Sequence, residues 1–301
     1  MMKRILCAGL ALADIPIHPV SPQVFAKDSV QINPPQVQTG GDALNQAVVL
    51  NRLGVDCALS CQVGSDLWGD CVVSALRAEG IRTDFVERVS VPTSASVILI
   101  QPDGERHFLT SQGASSLYAL RPQSAMSAFD IISIASLWGL PGMTLDVIAE
   151  LRRFAQAHSI QIACDFTEDL KGMGNPYIQR AIPMIDLLFP SYGEGVAITG
   201  ERRPEAILRA LAALGPRHIV LKLGADGCLA FVDGKFYRQP SLAAQVLDTT
   251  GAGDNFVAAY LACMTRDLSV AQSLEIASRA AARCVAEIGA TTARYRFEDL
   301  L

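Results

Sequence analysis

Seven consecutive residues, Asp248-Thr249-Thr250-Gly251-Ala252-Gly253-Asp254, carry the densest chemical signal in the chain. They follow a strand-like stretch and open an apolar helix, Asn255–Met264. Small side chains just before a helix let backbone N–H groups converge on an anion, and the helix dipole favours its charge. Gly251, Ala252 and Gly253 are small enough for a phosphate to approach the main chain closely. Asp254, in the first turn, would repel a phosphate that was merely held there. Its place makes sense if it faces a hydroxyl and takes its proton as a phosphoryl group arrives. A glycine turn with an acidic residue complementing the helix dipole gives the same seven letters, so the surroundings must decide.

Two further segments suit a hydroxylated ligand. Gly40-Gly41-Asp42-Ala43-Leu44-Asn45 runs into a helix, where paired glycines permit close backbone approach. Asn45, on the first turn, offers a donor and an acceptor to hydroxyls; the plainer reading is a loop entry with Asn45 exposed. Gly9–Asp14 leaves the first strand, and ligands of open α/β sheets sit beyond the carboxyl ends of strands. Asp14 can accept hydrogen bonds from two vicinal hydroxyls, or be an ordinary capped turn.

The elements that must position these residues alternate. Ile5–Ala8 reads as a strand, Ala43–Leu53 as a helix stopped by Gly54, and Cys57–Val63 as a strand. Leu67–Glu79 reads as a helix capped by Ser65 or Asp66 and stopped by Gly80. Strands at Asp130–Ala135, Ile160–Asp165, Leu187–Phe189 and His218–Leu223 alternate with helices at Thr144–His158 and Pro204–Leu214. Helices Ala252–Thr265 and Val270–Ile288 close the chain. Such repetition predicts an α/β fold, a doubly wound and mostly parallel sheet with helices on both faces. Two excursions break the pattern. Segment 14–39 is polar and proline-rich. Segment 94–110 predicts a hairpin, Ser94–Ile100 and Glu105–Thr110 about Pro102-Asp103-Gly104. Together they would form a small β-lid on a single domain spanning 1–301. Cys228–Val232 and Lys235–Gln239 predict a second hairpin.

Composition narrows the classes. With 301 residues, 18% charged and 50% hydrophobic, the chain buries about three-quarters of its unfolded surface and is not disordered overall. A net charge of −5 gives no basic footprint for nucleic acid, and no apolar run reaches the roughly 18 residues of a membrane span. Eight cysteines lie mostly in apolar segments without C-x-x-C spacing, which points to reduced thiols and a cytoplasmic protein. Lys3-Arg4 and the apolar run Ile5–Ala13 imitate a short signal peptide. A first buried strand ending at Gly9 competes with that reading and is favoured.

With these motifs in place, the chain resembles the ribokinase-like (PfkB-type) carbohydrate kinases. One family signature is matched by Gly40-Gly41 with Asn45, Ala47, Gly54 and Gly64. The other is matched by Asp248–Asp254 with Ala258, Ala259 and Tyr260 behind it. The resemblance implies ATP-dependent phosphorylation of a hydroxyl on a small sugar. Asp254 would be the catalytic base and Gly251, Ala252 and Gly253 the anion hole. Asp14, Gly40, Gly41 and Asn45 would hold substrate hydroxyls. Lys222-Leu223-Gly224-Ala225-Asp226-Gly227 is similar to the family's nucleotide loop, where Lys222 would meet ATP phosphates beside Gly224 and Gly227. Ala286–Gly289, late in the last helix, would line the adenine pocket. Asp248 and Thr250 correspond to positions whose carbonyls bind a monovalent cation, K⁺, in some members. Glu194 would act on Mg²⁺ indirectly.

Three positions depart from the family pattern: Ser191 replaces Asn in Asn-x-x-Glu, Asn255 stands where a small residue is common, and Ser278 replaces a frequent Asn. Asp165, ending a strand at the carboxyl edge, would border the Mg²⁺ region or cap a helix starting at Phe166-Thr167. Arg106 on the lid hairpin would meet a substrate carboxylate or phosphate, or pair with Asp103. Apolar Val97–Ile100, Phe108 and Leu109 exceed one cleft's needs and point to a homodimer through the lid. A nucleoside kinase of the same family competes, with Phe25 and Phe108 as candidate stacking rings. So does a catalytically idle sugar-binding protein. A nicotinamide dehydrogenase would need G-x-G-x-x-G where only Gly9 stands.

Overall fold

The computed structural model describes residues 3–102, 106–167, 169, 172 and 174–301. In chain order the elements are β1 Ile5–Ala8, β2 Leu12–Ile17, β3 Gln38–Gly40, α1 Asp42–Arg52, β4 Cys57–Gly64, α2 Leu67–Ala78, β5 Val86–Val89, β6 Ala95–Ile100 and β7 Arg106–Ser111. Then follow β8 Ile131–Ile134, α3 Leu145–Ala157, β9 Gln161–Cys164, α4 Gly174–Ala181, β10 Leu187–Leu188, α5 Tyr192–Thr199, α6 Pro204–Ala213, β11 His218–Lys222, β12 Cys228–Val232, β13 Lys235–Gln239, α7 Ala252–Met264 and α8 Val270–Cys284. The main sheet has nine strands in the order β13-β12-β11-β10-β9-β8-β1-β4-β5. From β5 to β11 every neighbour is parallel; β12 and β13 join antiparallel at one edge.

Period-two alternation along β1 explains the layers. Ile5 and Cys7 face one core with residues of α1, α2, α7 and α8. Leu6 and Ala8 face the other, with residues of α3, α4, α5 and α6. A strand buried on both faces must be apolar throughout, and β1 is fully buried in the middle of the sheet. All eight cysteines are free, and seven of them are buried. Among the described residues no helix is long and apolar enough to cross a membrane.

The two excursions meet in a second sheet, ordered β3-β2-β6-β7. β2 pairs antiparallel with β3 and parallel with β6; β7 completes a hairpin with β6. The expected turn at Asp103-Gly104, and with it the Arg106–Asp103 pair, lies outside the described residues. Two local expectations are corrected. The last helix ends at Cys284, not Ile288: the Glu287 amide takes the Cys284 carbonyl, three residues back, and Ala286–Gly289 forms a turn beyond it. No helix begins at Phe166, so Asp165 is not a helix cap. Its carboxylate accepts from the Phe166 amide at 2.8 Å in an extended loop instead.

Candidate active site

The carboxyl ends of β1, β8, β9 and β11 and the amino ends of α1 and α7 converge on one place. Gly251 enters α7 at φ 74, a left-handed conformation that favours glycine, and a Cβ there would collide with Ala290. The amides of Gly253 and Asp254 are first-turn amides that no carbonyl within the helix can satisfy. The Ala252 amide is partly engaged, donating to the Thr249 carbonyl at 3.3 Å.

Asp254 is 6% exposed. Asn45, four residues into α1, donates Nδ2 to Asp254 Oδ2 at 2.8 Å, so the two sequence motifs are joined directly. Asn45 Oδ1 is buried and has no partner among the described residues, which suits a ligand hydroxyl. Burial, then the nearby Asp42 carboxylate, raises Asp254 well above the ordinary aspartate range, against the opposing Asn45 hydrogen bond. A stronger base results, poised nearer to neutral pH.

Lys222, at the end of β11, pairs with Asp165 Oδ1 at 2.8 Å, and Asp165 is 4% exposed. Burial lowers the lysine's affinity for its proton, but Asp165 and Glu194 outweigh it and the net shift is upward. A Cβ on Gly253 would lie 3.3 Å from Lys222 Nζ, so this ammonium flanks the anion turn. Gly224 and Gly227 both take positive φ in the turn after it. Ser191 and Glu194 form a capping box at α5: Glu194 Oε2 accepts from the Ser191 amide at 2.7 Å and Ser191 Oγ from the Glu194 amide at 3.3 Å. Burial raises Glu194.

Among the described residues, no three His, Cys, Asp or Glu side chains gather to hold a metal. A divalent ion here would rest on one or two carboxylates plus phosphate and water, the common arrangement for Mg²⁺. Glu194 and Asp165, both facing Lys222, fit that demand. Asp248 is 3% exposed, and its carboxylate accepts from the Thr250 and Gly289 amides at 2.7 Å each. It ties the anion turn to the turn after α8, a side-chain role that the sequence did not suggest.

Asp14 lies on β2, where burial lifts it to about 6. A Cβ on Gly40 would collide with its carboxylate, so Gly40 is required for Asp14 to lie across β3. A cleft of about 660 Å³ opens between the small sheet and the body, lined by Asp14, Gln38, Ile98, Asp248, Thr250 and Gly289 among others. It reaches Asp14 but not the buried Asp254. Arg106 begins β7 opposite Ile100. Sequence reasoning missed Asp42 and Ser136. Asp42 opens α1, its Oδ2 contacts Ser136 Oγ, and burial followed by Asp165 raises it to about 7. Its one signal, an acid at a helix start, reads equally as dipole complementation. Ser136 gave no signal at all.

A profile described as pfkB family carbohydrate kinase matches residues 2–295. The ribokinase of Bacillus subtilis (strain 168) is 28% identical over 273 residues, covering 88% of each chain. The 1-phosphofructokinase of Haloferax volcanii is 30% identical over 259 residues, covering 83% of this chain and 80% of its own. The solved ribokinase of Arabidopsis thaliana, complexed with ribose and ATP, superposes with a TM-score of 0.83 at 23% identity over 100% of this chain and 98% of its own. The dehydrogenase alternative is thereby set aside. With both signatures, the ribokinase-like sheet and a match over nearly the whole chain, this protein belongs to the pfkB family of carbohydrate kinases and is a phosphotransferase.

Proposed function

We propose that the chain is an ATP-dependent sugar kinase that phosphorylates a hydroxyl of a small sugar or sugar derivative. The observation that carries this reading is Asp254, buried beside the α7 amino end, hydrogen-bonded by Asn45 and flanked by Lys222. Asp254 accepts the proton of the attacking hydroxyl. The amides of the 251–253 turn face the transferring group, and Lys222 sets a positive charge beside it. ATP would supply the phosphoryl group, and Glu194 and Asp165 would hold Mg²⁺, which would offset phosphate charge. Gly224, Gly227, Ala286 and Gly289 border the nucleotide. Asp248 and Thr250 are the candidate K⁺ position.

Asp14, Gly40, Gly41, Asn45 and Arg106 hold the acceptor under the small sheet, which acts as a lid on a single 1–301 domain and excludes water as a competing acceptor. Phe25, Phe108 and Leu109 are strongly exposed on or beside this sheet, an apolar surface that supports a homodimer through the lid. Sedimentation giving a monomer at micromolar concentration removes the dimer. Free, largely buried cysteines suit the cytoplasm.

A coupled ADP-release assay over neutral sugars, sugar phosphates and nucleosides tests the reading. Turnover with a sugar or sugar derivative is expected. Preferred turnover of a nucleoside replaces the sugar reading. Tight sugar binding with no ADP release from any acceptor leaves a binding protein instead.

A further inference from the structure

Asn255, the residue after Asp254, is 1% exposed and spends every polar atom. Its Nδ2 donates to the Gly251 carbonyl at 2.8 Å and the Ala290 carbonyl at 2.8 Å, and lies 3.2 Å from Cys284 Sγ. Its Oδ1 accepts from the Tyr295 hydroxyl. One side chain therefore binds the anion turn, the end of α8, the turn after α8 and the C-terminal segment. Alanine at this position could make none of these bonds, and serine at most the one to the Gly251 carbonyl four residues back.

The Gly251 carbonyl receives a second donor from the same residue, the Asn255 amide at 2.9 Å. Two donors on one carbonyl fix the plane of the Gly251–Ala252 peptide, since that unit is rigid. That plane sets the pitch of the first turn of α7, which carries the Gly253 amide and the Asp254 carboxylate. On the other side, Ala290 packs where a Gly251 Cβ would sit, and Asp248 bridges Thr250 to Gly289. The turn at 285–290 and the anion turn thus move as one body, with Asn255 as the member that contacts both and also abuts the base.

We infer that Asn255 is a positioning residue that couples the 285–290 turn to the first turn of α7, so that ordering the former aligns the latter for phosphoryl transfer. This rests on the kinase reading for its catalytic consequence, though not for the coupling. A misplacement of the order of 1 Å at a reacting centre costs about 10²-fold in rate.

Asn255→Ala, Asn255→Asp and Tyr295→Phe are compared by thermal melting, steady-state kinetics and amide hydrogen exchange. In Asn255→Ala, exchange should accelerate together in 251–256 and in 286–290, without nucleotide. The kcat should fall about 10²-fold at a temperature where the variant is folded, with the acceptor KM within about twofold. Asn255→Asp is nearly isosteric but sets a carboxylate against two carbonyl oxygens. It should be worse than Ala at neutral pH and improve towards acid. Tyr295→Phe should be mild. A lower melting temperature with unchanged kcat, acceleration in only one segment, or Asp milder than Ala overturns the coupling. Wild-type protein without turnover on any acceptor defeats the kinase reading, while the exchange arm still decides the coupling.

Discussion

Asn45 Nδ2 and Asp254 Oδ2 stand 2.8 Å apart although 209 positions separate the residues. The bond joins the amino ends of α1 and α7 and favours the charged carboxylate, against burial and Asp42, which on balance favour the neutral form.

Asp254→Asn should lower kcat about 10²–10⁴-fold with KM little changed, since a general base contributes only in the transition state. In the wild type the acid limb of kcat against pH should lie above the ordinary aspartate range, because the charged form is the base and its affinity for the proton is raised. Steady-state ADP release across pH measures both. Near-normal turnover in the variant would exclude Asp254 from the mechanism.

Asn45→Ala removes a hydrogen bond to a charged group, an interaction of about 1.5–3 kcal/mol. The kcat/KM should fall about 10–100-fold, and the acid limb should move to higher pH, since the bond that favoured the carboxylate is gone. An acid limb that stays in place would mean that the bond does not bear on Asp254's charge.

Lys222→Met leaves Asp165 buried without its cation and should destabilise the fold by about 3 kcal/mol. The double variant Lys222→Met/Asp165→Asn should regain much of that stability and none of the activity. Urea unfolding separates the two effects, and recovery of turnover in the double variant would show that Lys222 serves the fold alone.

Asp42 and Asp14, lifted to about 7 and about 6, bind protons more tightly folded than unfolded. Their contribution is therefore fully present below the unfolded value near 3.8 and is lost as pH rises through 6 to 7. Asp42→Asn should raise the melting temperature by a few degrees at alkaline pH and give no gain in acid. An equal gain at both ends of the range would trace the effect to packing instead.

The sequence made the anion turn legible because its parts are contiguous, and it made Asn45 legible because the paired glycines point to it. Pairs formed across the fold were not legible. Lys222 and Asp165 are 57 positions apart, and Ser136 and Asp42 are 94 apart. No local pattern encodes which strand ends become neighbours. Glu194 was read for its carboxylate alone, yet Ser-x-x-Glu is also a capping signature, and the structure uses it as one. Apolar spacing continues to Ile288, but in the fold the Glu287 amide turns back to the Cys284 carbonyl, three residues earlier, and the helix stops there.

Parallel pairing of β2 with β6, Ala13 opposite Ala95, has a kinetic consequence. Neither excursion can build the small sheet alone, and closing so long a stretch is entropically costly until other contacts have shortened it. β1, β4 and β5, paired side by side, bring the two ends together. The small sheet is thus a late and separable cooperative unit, and amides in β2 and β6 should exchange through openings well below the free energy of global unfolding, while those of β1 and β4 wait for the whole molecule.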